Sequence, residues 1–414
     1  MRRQLFYGWV MVAVAFGVIL LGAGTRAAPG ALLLPIEADT GWSTGQVTIA
    51  GAAGLLLLGI GGPVSGLLID RFGVRRLTVA ALGLTAAGMG LSALATEVWQ
   101  LVLLFGVISG FGAGLVASSL GPIVANRWFV ARRGLVVGVF GAAASAGQLA
   151  FIPILSSIGT ADGWRIAVVF LAILVAIAAI PAGLLLRESP AAVGERPLGQ
   201  PDGAPAIAQR SDPGIMRRAI RRPEFWLLAG TFFVCGATSN GVVGQHFIAH
   251  AVDHGFTPAV AAGALALMGV FNFAGTIASG YLTDRFDPRR LLLVYYTFRG
   301  ISLLLLPAIH SSADIVVFSI VFGLDYIATV PPTVALTADV FGRHNVGIVY
   351  GWIYAAHMFG AAILAQVAAI IRDTAGDYTL AYLTAGWMAV AAGVVILALR
   401  RARQAPATGL PAAA

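Results

Sequence analysis

Six ionisable side chains lie within long apolar stretches of the sequence: Arg26, His246, His250, Arg299, Asp325 and His357. A charge deep inside an apolar helix is costly, so each needs a partner or a task. Arg26 stands in GAGTRAAPGALLLP, with Gly24, Pro29 and Gly30 to loosen the helix around it. Its guanidinium is permanently charged and suits two-pronged binding of a carboxylate. It lies about nine residues, or about 13 Å, from the expected end of its helix. An arginine snorkelling to the headgroups is therefore the competing reading. Asp325, in FGLDYIATVPP, is an acid near mid-membrane and a candidate proton carrier; the alternative is a fixed ion pair with Arg299 on the preceding helix. His246 and His250, at i and i+4, share one helix face as a pH-sensitive gate or substrate contact. The same spacing would suit a metal, yet only Asp253 or His254 offers a third ligand, so no metal is expected. His357 shares a face with Tyr354. Asn240, Gln148, Asn272 and Tyr326 are neutral polar residues that either line a cavity or bond between helices.

The elements that must position these residues are membrane helices. The chain has 414 residues, 58% hydrophobic and only 11% charged, whereas soluble domains carry about 25% charged residues. Its apolar blocks reach the roughly 20 residues that a helix needs to cross the hydrocarbon. Twelve spans are predicted, at 7–35, 44–69, 77–95, 99–125, 134–158, 164–186, 225–250, 257–283, 291–310, 314–340, 347–371 and 378–399. This is an all-α polytopic membrane protein. Small-x-x-x-small pairs such as Gly110/Gly114 allow close helix approach. The first apolar run is too long for a cleaved signal peptide.

Charge sets the orientation and excludes several functions. All 26 basic residues are Arg, and 22 of them fall on one side if both termini share that side. The positive-inside rule makes that side cytoplasmic and the location a cell inner (plasma) membrane. The net charge of +8 then reflects topology and anionic lipid rather than nucleic acid. With no Lys there is no phosphate-binding G-x-x-x-x-G-K-[ST] loop, and no H-E-x-x-H occurs. No enzyme activity and no cofactor are expected, and the chain is expected to act as a monomer. The single Cys235 lies within a span, so no disulfide is indicated.

An internal repeat organises the chain. GLLIDRFGVRR (Gly66–Arg76) and GYLTDRFDPRR (Gly280–Arg290) lie 214 residues apart. RWFVARRGLVVG (Arg127–Gly138) is echoed by DVFGRHNVGIVYG (Asp339–Gly351) at nearly the same offset. Two six-span halves in parallel repeat follow, at 1–190 and 223–403. Residues 191–222 form a flexible Pro/Gly/Ala linker and a basic amphipathic segment on the inner leaflet, with Ile215, Met216 and Ile220 facing the lipid. Residues 404–414 form a disordered tail.

The repeated loop resembles the signature of the major facilitator superfamily, matched by Gly66, Asp70, Arg71, Gly73, Arg75 and Arg76. The second copy, with Gly280, Asp284, Arg285, Arg289 and Arg290, lacks the Gly equivalent at Asp287. FYGWVMVAVAF, GWSTGQV and NRWFVARRGLVVG are similar to bacterial monocarboxylate porters and oxalate/formate antiporters. The resemblance implies a secondary transporter of a small organic anion, a monocarboxylate, by H⁺ symport or anion exchange. Its two bundles rock around a midplane site lined by spans 1, 4, 7 and 10. It also implies that the repeated loops latch the cytoplasmic ends, with Gly66 and Gly280 allowing tight packing and Asp70 and Asp284 facing helix N-termini. An Arg common in span 8 of those families is Thr276 here, so Arg26 or Arg299 would replace it. The alternative is a multidrug or apolar-compound effluxer of the same fold, which expects no buried Arg.

Overall fold

The structure is a computed structural model that describes residues 6–117, 119–200, 212, 214–342 and 345–399, without the side chains of Leu67, Asp70 and Arg133. Twelve long helices follow one another: α1 (Gly8–Thr40), α2 (Thr44–Phe72), α3 (Val74–Ser92), α4 (Val98–Trp128), α5 (Arg133–Ala161) and α6 (Trp164–Leu185) in the first half. The second half comprises α7 (Pro223–Asp253), α8 (Pro258–Thr283), α9 (Pro288–Ala308), α10 (Ser312–Phe341), α11 (Val346–Ala375) and α12 (Thr379–Ala398). Eleven are long and apolar enough to cross a membrane by length and composition. The remaining one, α3, has 19 residues and carries Arg75 and Arg76 in its first turn.

The helices pack as the repeat requires. In the first half α1 lies on α5, α2 on α4 and α3 on α6. In the second half α7 lies on α11, α8 on α10 and α9 on α12, the same pairs displaced by six helices. The halves meet through α2 against α11 and α5 against α8, with α1 crossing α7. Glycine makes the α2–α4 approach possible: a Cβ at Gly114 would lie 2.7 Å from the Leu58 Cα. Three helices are irregular. Residues Val102–Ser109 of α4 and Ala237–Val243 of α7 are wound as π-helix, a winding common at functional sites. Helix α10 opens between Asp325 and Val330, just before Pro331 and Pro332, which supply no N–H to the preceding turn.

Several expectations need correction. Helix α1 continues past Pro35 to Thr40, because its last turn is held from outside: Trp164 donates to Asp39 (2.9 Å) and Arg165 pairs with it. A Cβ at Gly66 or Gly280 would meet nothing within 4 Å, so neither glycine serves close packing here. The start of the linker is ordered: Leu198 bonds to Trp128 O and receives Val130 N, and Tyr7 N donates to Glu195. In the short helix Ile215–Ala219, Ile215 is buried against Phe225 and Leu228 of α7 while Ile220 is exposed. Its apolar side therefore packs on the second half rather than facing outward as a whole. The 404–414 tail lies outside the described residues.

Candidate functional site

A cavity lies where the two halves meet, lined by Arg26 of α1, Leu55 of α2, Gln148 of α5, Asn240 and Gln245 of α7, Leu265 and Met268 of α8, and Tyr326 of α10. Each half contributes one kind of group: the first brings the cation, the second brings most of the neutral hydrogen-bonding groups. Arg26 is fourteen residues from the end of α1 at Thr40, about 21 Å along the helix. Its side chain lines this cavity between the halves. Its guanidinium lies by the Tyr354 hydroxyl and shares the cavity wall with Tyr326, and no acid lines the cavity. Among the described residues, no carboxylate forms an ion pair with Arg26 within 4.0 Å. Asn240, on the π-wound turn, is fixed on both sides. Tyr326 Oη donates to its Oδ1 (3.2 Å), and its Nδ2 donates to His357 Nε2 (3.1 Å). His357 stacks on Tyr354 with the rings 9° from parallel. Arg26, Gln148, Asn240 and Tyr326 are thus brought to the cavity, while His357 and Tyr354 stand behind Asn240 and Arg26. Gln245, buried and facing the cavity, was not singled out from sequence; its place one residue before His246 is a signal only once the helix phase is known.

Arg299 and Asp325 do something else. The Arg299 Nε donates to Asp325 Oδ2 at 2.6 Å, with side-chain exposures of 0% and 2%. The other guanidinium nitrogens reach the carbonyls of Asp325 (2.6 Å) and Tyr326 (3.1 Å) and the Cys235 sulfur (2.9 Å). Those carbonyls lie at the opening in α10, where the regular helical ladder is interrupted and Asp325 O accepts the tighter bond from Ala328 N (3.1 Å). Ser279 of α8 donates to a third, Ala328 O, at 2.5 Å. Arg299 therefore staples a broken helix and holds Tyr326 against the cavity. Of the two sequence readings of Asp325, the geometry displays the ion pair.

The histidines of α7 are not at the cavity. His246, fully buried, bonds to Tyr378 Oη (3.1 Å) and Ala365 O (2.8 Å). His250 packs on Tyr382 and His254. The i, i+4 face expected to serve as a pH-sensitive gate or substrate contact is turned to Tyr378 and Tyr382 at the start of α12 and not to the cavity. Asn272 is buried on α8 and accepts from Thr276 (3.2 Å), its own next turn.

At the end of the molecule away from the repeated loops, a clamp joins the halves. Asp373, at the end of α11, accepts from Thr44 N (3.0 Å) and Gly45 N (2.7 Å) and so caps α2. The preceding Arg372 bonds to Glu37 (3.2 Å), to Thr44 Oγ1 (2.6 Å) and to Asp253 through both fork nitrogens (3.0 Å each). Gln366 adds a bond to Gly45 O (3.1 Å). The sequence carried a hint: Arg372 is one of only two arginines on the acidic side of the chain.

Residues 14–278 and 246–414 match the family model described as Major Facilitator Superfamily. The chain belongs to the major facilitator superfamily. Among similar proteins are monocarboxylate transporter 13 of Bos taurus, 25% identical over 95% of this chain and 89% of that protein, and monocarboxylate transporter 11 of Mus musculus, 28% identical over 96% and 88%. The oxalate:formate antiporter of Oxalobacter formigenes is 24% identical over 87% of this chain and 85% of its own. The fold is also that of a bacterial homologue of the lysosomal transporter Spinster, solved inward-facing and unoccupied: TM-score 0.69, 17% identity, 95% of both chains. This is a multi-pass membrane transporter.

The superfamily's signature loops can be placed accordingly. Gly73 adopts φ +81°, which only glycine takes without strain, and joins α2 to α3. Glu188, from the exit of α6, caps α3 through Val74 N (2.7 Å) and Arg75 N (3.1 Å). In the second loop Asp287 caps α9 and pairs with Arg289 (2.7 Å), whose other nitrogen reaches Leu399 O; the residue that departs from the motif has its own structural task. Arg71 and Arg285 lie over Phe72 and Tyr281. Arg75, Arg76 and Arg290 are exposed. Asp284 is exposed too and makes no bond among the described residues, so it faces no helix N-terminus here. The Asp70 side chain lies outside the described residues.

Proposed function

We propose that this transporter carries a small monocarboxylate, held at Arg26 and exchanged across the membrane by H⁺ symport or against a second anion. The observation that carries the reading is a single permanent cation without an acidic partner, lining a cavity at the junction of the two halves. A low-dielectric site with an unpaired guanidinium favours one negative charge on its ligand. Gln148, Gln245 and the second Nδ2 hydrogen of Asn240 supply donors for the remaining oxygens. The names of the similar proteins, monocarboxylate transporters and an oxalate:formate antiporter, point the same way. An effluxer of neutral apolar compounds would gain nothing from Arg26.

In this reading the bodies that move are residues 1–190 and 223–403, joined by 191–222, in a monomer. The repeated loops and both termini lie in the cytoplasm of a cell whose inner (plasma) membrane holds the protein, as the arginine asymmetry favours. The Arg372–Asp373 clamp then closes the outer side, and the cavity awaits its ligand from within. Asp70 and Asp284 serve the opposite state, in which the cytoplasmic ends approach. Asp325 is assigned to the staple, so the coupling proton, where there is one, travels with the substrate or through His357.

Proteoliposome exchange of labelled acetate, lactate and oxalate tests this. Saturable exchange of monocarboxylates that is lost in Arg26→Gln is expected. Unchanged exchange in Arg26→Gln, or transport of neutral compounds only, would overturn it.

A further inference from the structure

Arg26 borders a second chamber as well as the cavity between the halves. This chamber lies wholly inside the first half, lined by α1 through α6 on the side of Arg26 towards the repeated loops. It is the larger of the two. Its other walls are apolar, from Val18, Leu58, Leu82, Val116 and Val175. Two threonines in the wall spend their hydroxyl donors within their own helices: Thr25 donates to Leu21 O (3.1 Å) and Thr85 to Ala81 O (2.8 Å). Neither has an O–H left to offer a polar ligand. Gly22 lines the same space, and a Cβ there would meet nothing within 4 Å. A chamber that small residues keep open, in a protein that packs glycine against backbone elsewhere, is space with a use.

Resting on the anion reading of Arg26, we propose that this chamber receives the hydrocarbon tail of the transported acid, so that the substrate is an amphiphilic monocarboxylate. The carboxylate stays at Arg26, with the amides of the central cavity around it. The tail runs along α1 from Arg26 back towards Val18, about 12 Å, which accommodates a chain of several carbons. A small dianion would use neither feature: it lacks the tail and would bring a second charge beside an apolar wall.

The test is calorimetric binding of acetate, butyrate and hexanoate to purified full-length protein in nanodiscs. Affinity is expected to rise about fourfold per added methylene, the worth of burying about one CH₂. Gly22→Leu fills the chamber without a backbone clash and with better helix propensity. It should weaken hexanoate at least about tenfold and leave acetate within about twofold. Ala144→Leu plugs the same chamber from α5 and gives the same answer should Gly22→Leu not fold. Arg26→Gln should weaken both acids alike. A flat series in wild type, as when a lipid chain already fills the chamber, overturns the tail assignment. So does retention of hexanoate by both plugged variants. In those cases loss of acetate in Arg26→Gln leaves the anion reading standing. If Arg26→Gln still binds acetate, or wild type binds no acid, the anion reading itself fails and the tail assignment with it.

Discussion

Arg26 and Arg299 are two arginines within apolar helices, and they differ in everything around the charge. Arg299 is fully buried and has nearly every donor engaged: a carboxylate, two backbone carbonyls and a thiol. Arg26 is partly buried, borders two chambers and shares the cavity between the halves with neutral amides and a tyrosine, with no acid. The lesson is that an intramembrane charge is costly in both places, but the cost is met differently. Where the protein itself supplies the counter-charge, the residue builds structure. Where the protein withholds it, the site is incomplete until an anion arrives.

The largest effect that would sharpen this contrast is on stability. Arg299→Gln leaves Asp325 buried without its counter-ion, at a cost of about 3–5 kcal/mol. The unfolding midpoint should fall steeply and expression with it, while Arg299→Gln/Asp325→Asn together should recover most of the loss. Fluorescence-detected size exclusion and thermal melts would read both. A single mutant as stable as wild type would break the comparison, because Arg299 would then be no staple.

A smaller effect concerns the clamp. Asp373→Asn weakens the cap on α2 by about 1 kcal/mol, and so should shift the balance of outer-closed to outer-open forms about fivefold. Spin labels at the exposed Ala38 and Ala375 would report it as a longer distance component. An unchanged distance distribution would mean the clamp is not what keeps that end closed. The smallest expected effect is at the cavity wall. Asn240→Ala removes one neutral hydrogen-bonding side chain, worth about 1 kcal/mol, and should weaken acetate about fivefold with little change in melting temperature.

Much of the fold was legible because apolar blocks near 20 residues have few alternatives and arginines mark one side of the membrane. The end of α1 was not, since Pro35 reads as a stop and the partners that carry the helix to Thr40 come from α6 and α11. Arg26 was legible as a charge without an excuse, and the Arg299–Asp325 pair as one of two readings. Sequence could not choose between those readings, because the choice depends on the opened turn of α10 and the carbonyls that Arg299 reaches there. The histidines show the converse limit. Spacing placed His246 and His250 on one face, but the phase that turns the face towards Tyr378 is set by packing. Of the clamp, the sequence offered only the isolated Arg372 on the acidic side, because Asp373 and Thr44 are 329 residues apart.

The central claim is that Arg26 waits for a carboxylate, and calorimetry of acetate with wild type, Arg26→Lys and Arg26→Gln tests it most directly. A charge-assisted bond is worth about 1.5–3 kcal/mol, so Arg26→Gln should bind about 10- to 150-fold more weakly at an unchanged melting temperature. Arg26→Lys should recover part of the loss, since an ammonium keeps the charge and loses the fork. Wild-type affinity in Arg26→Gln would contradict the account.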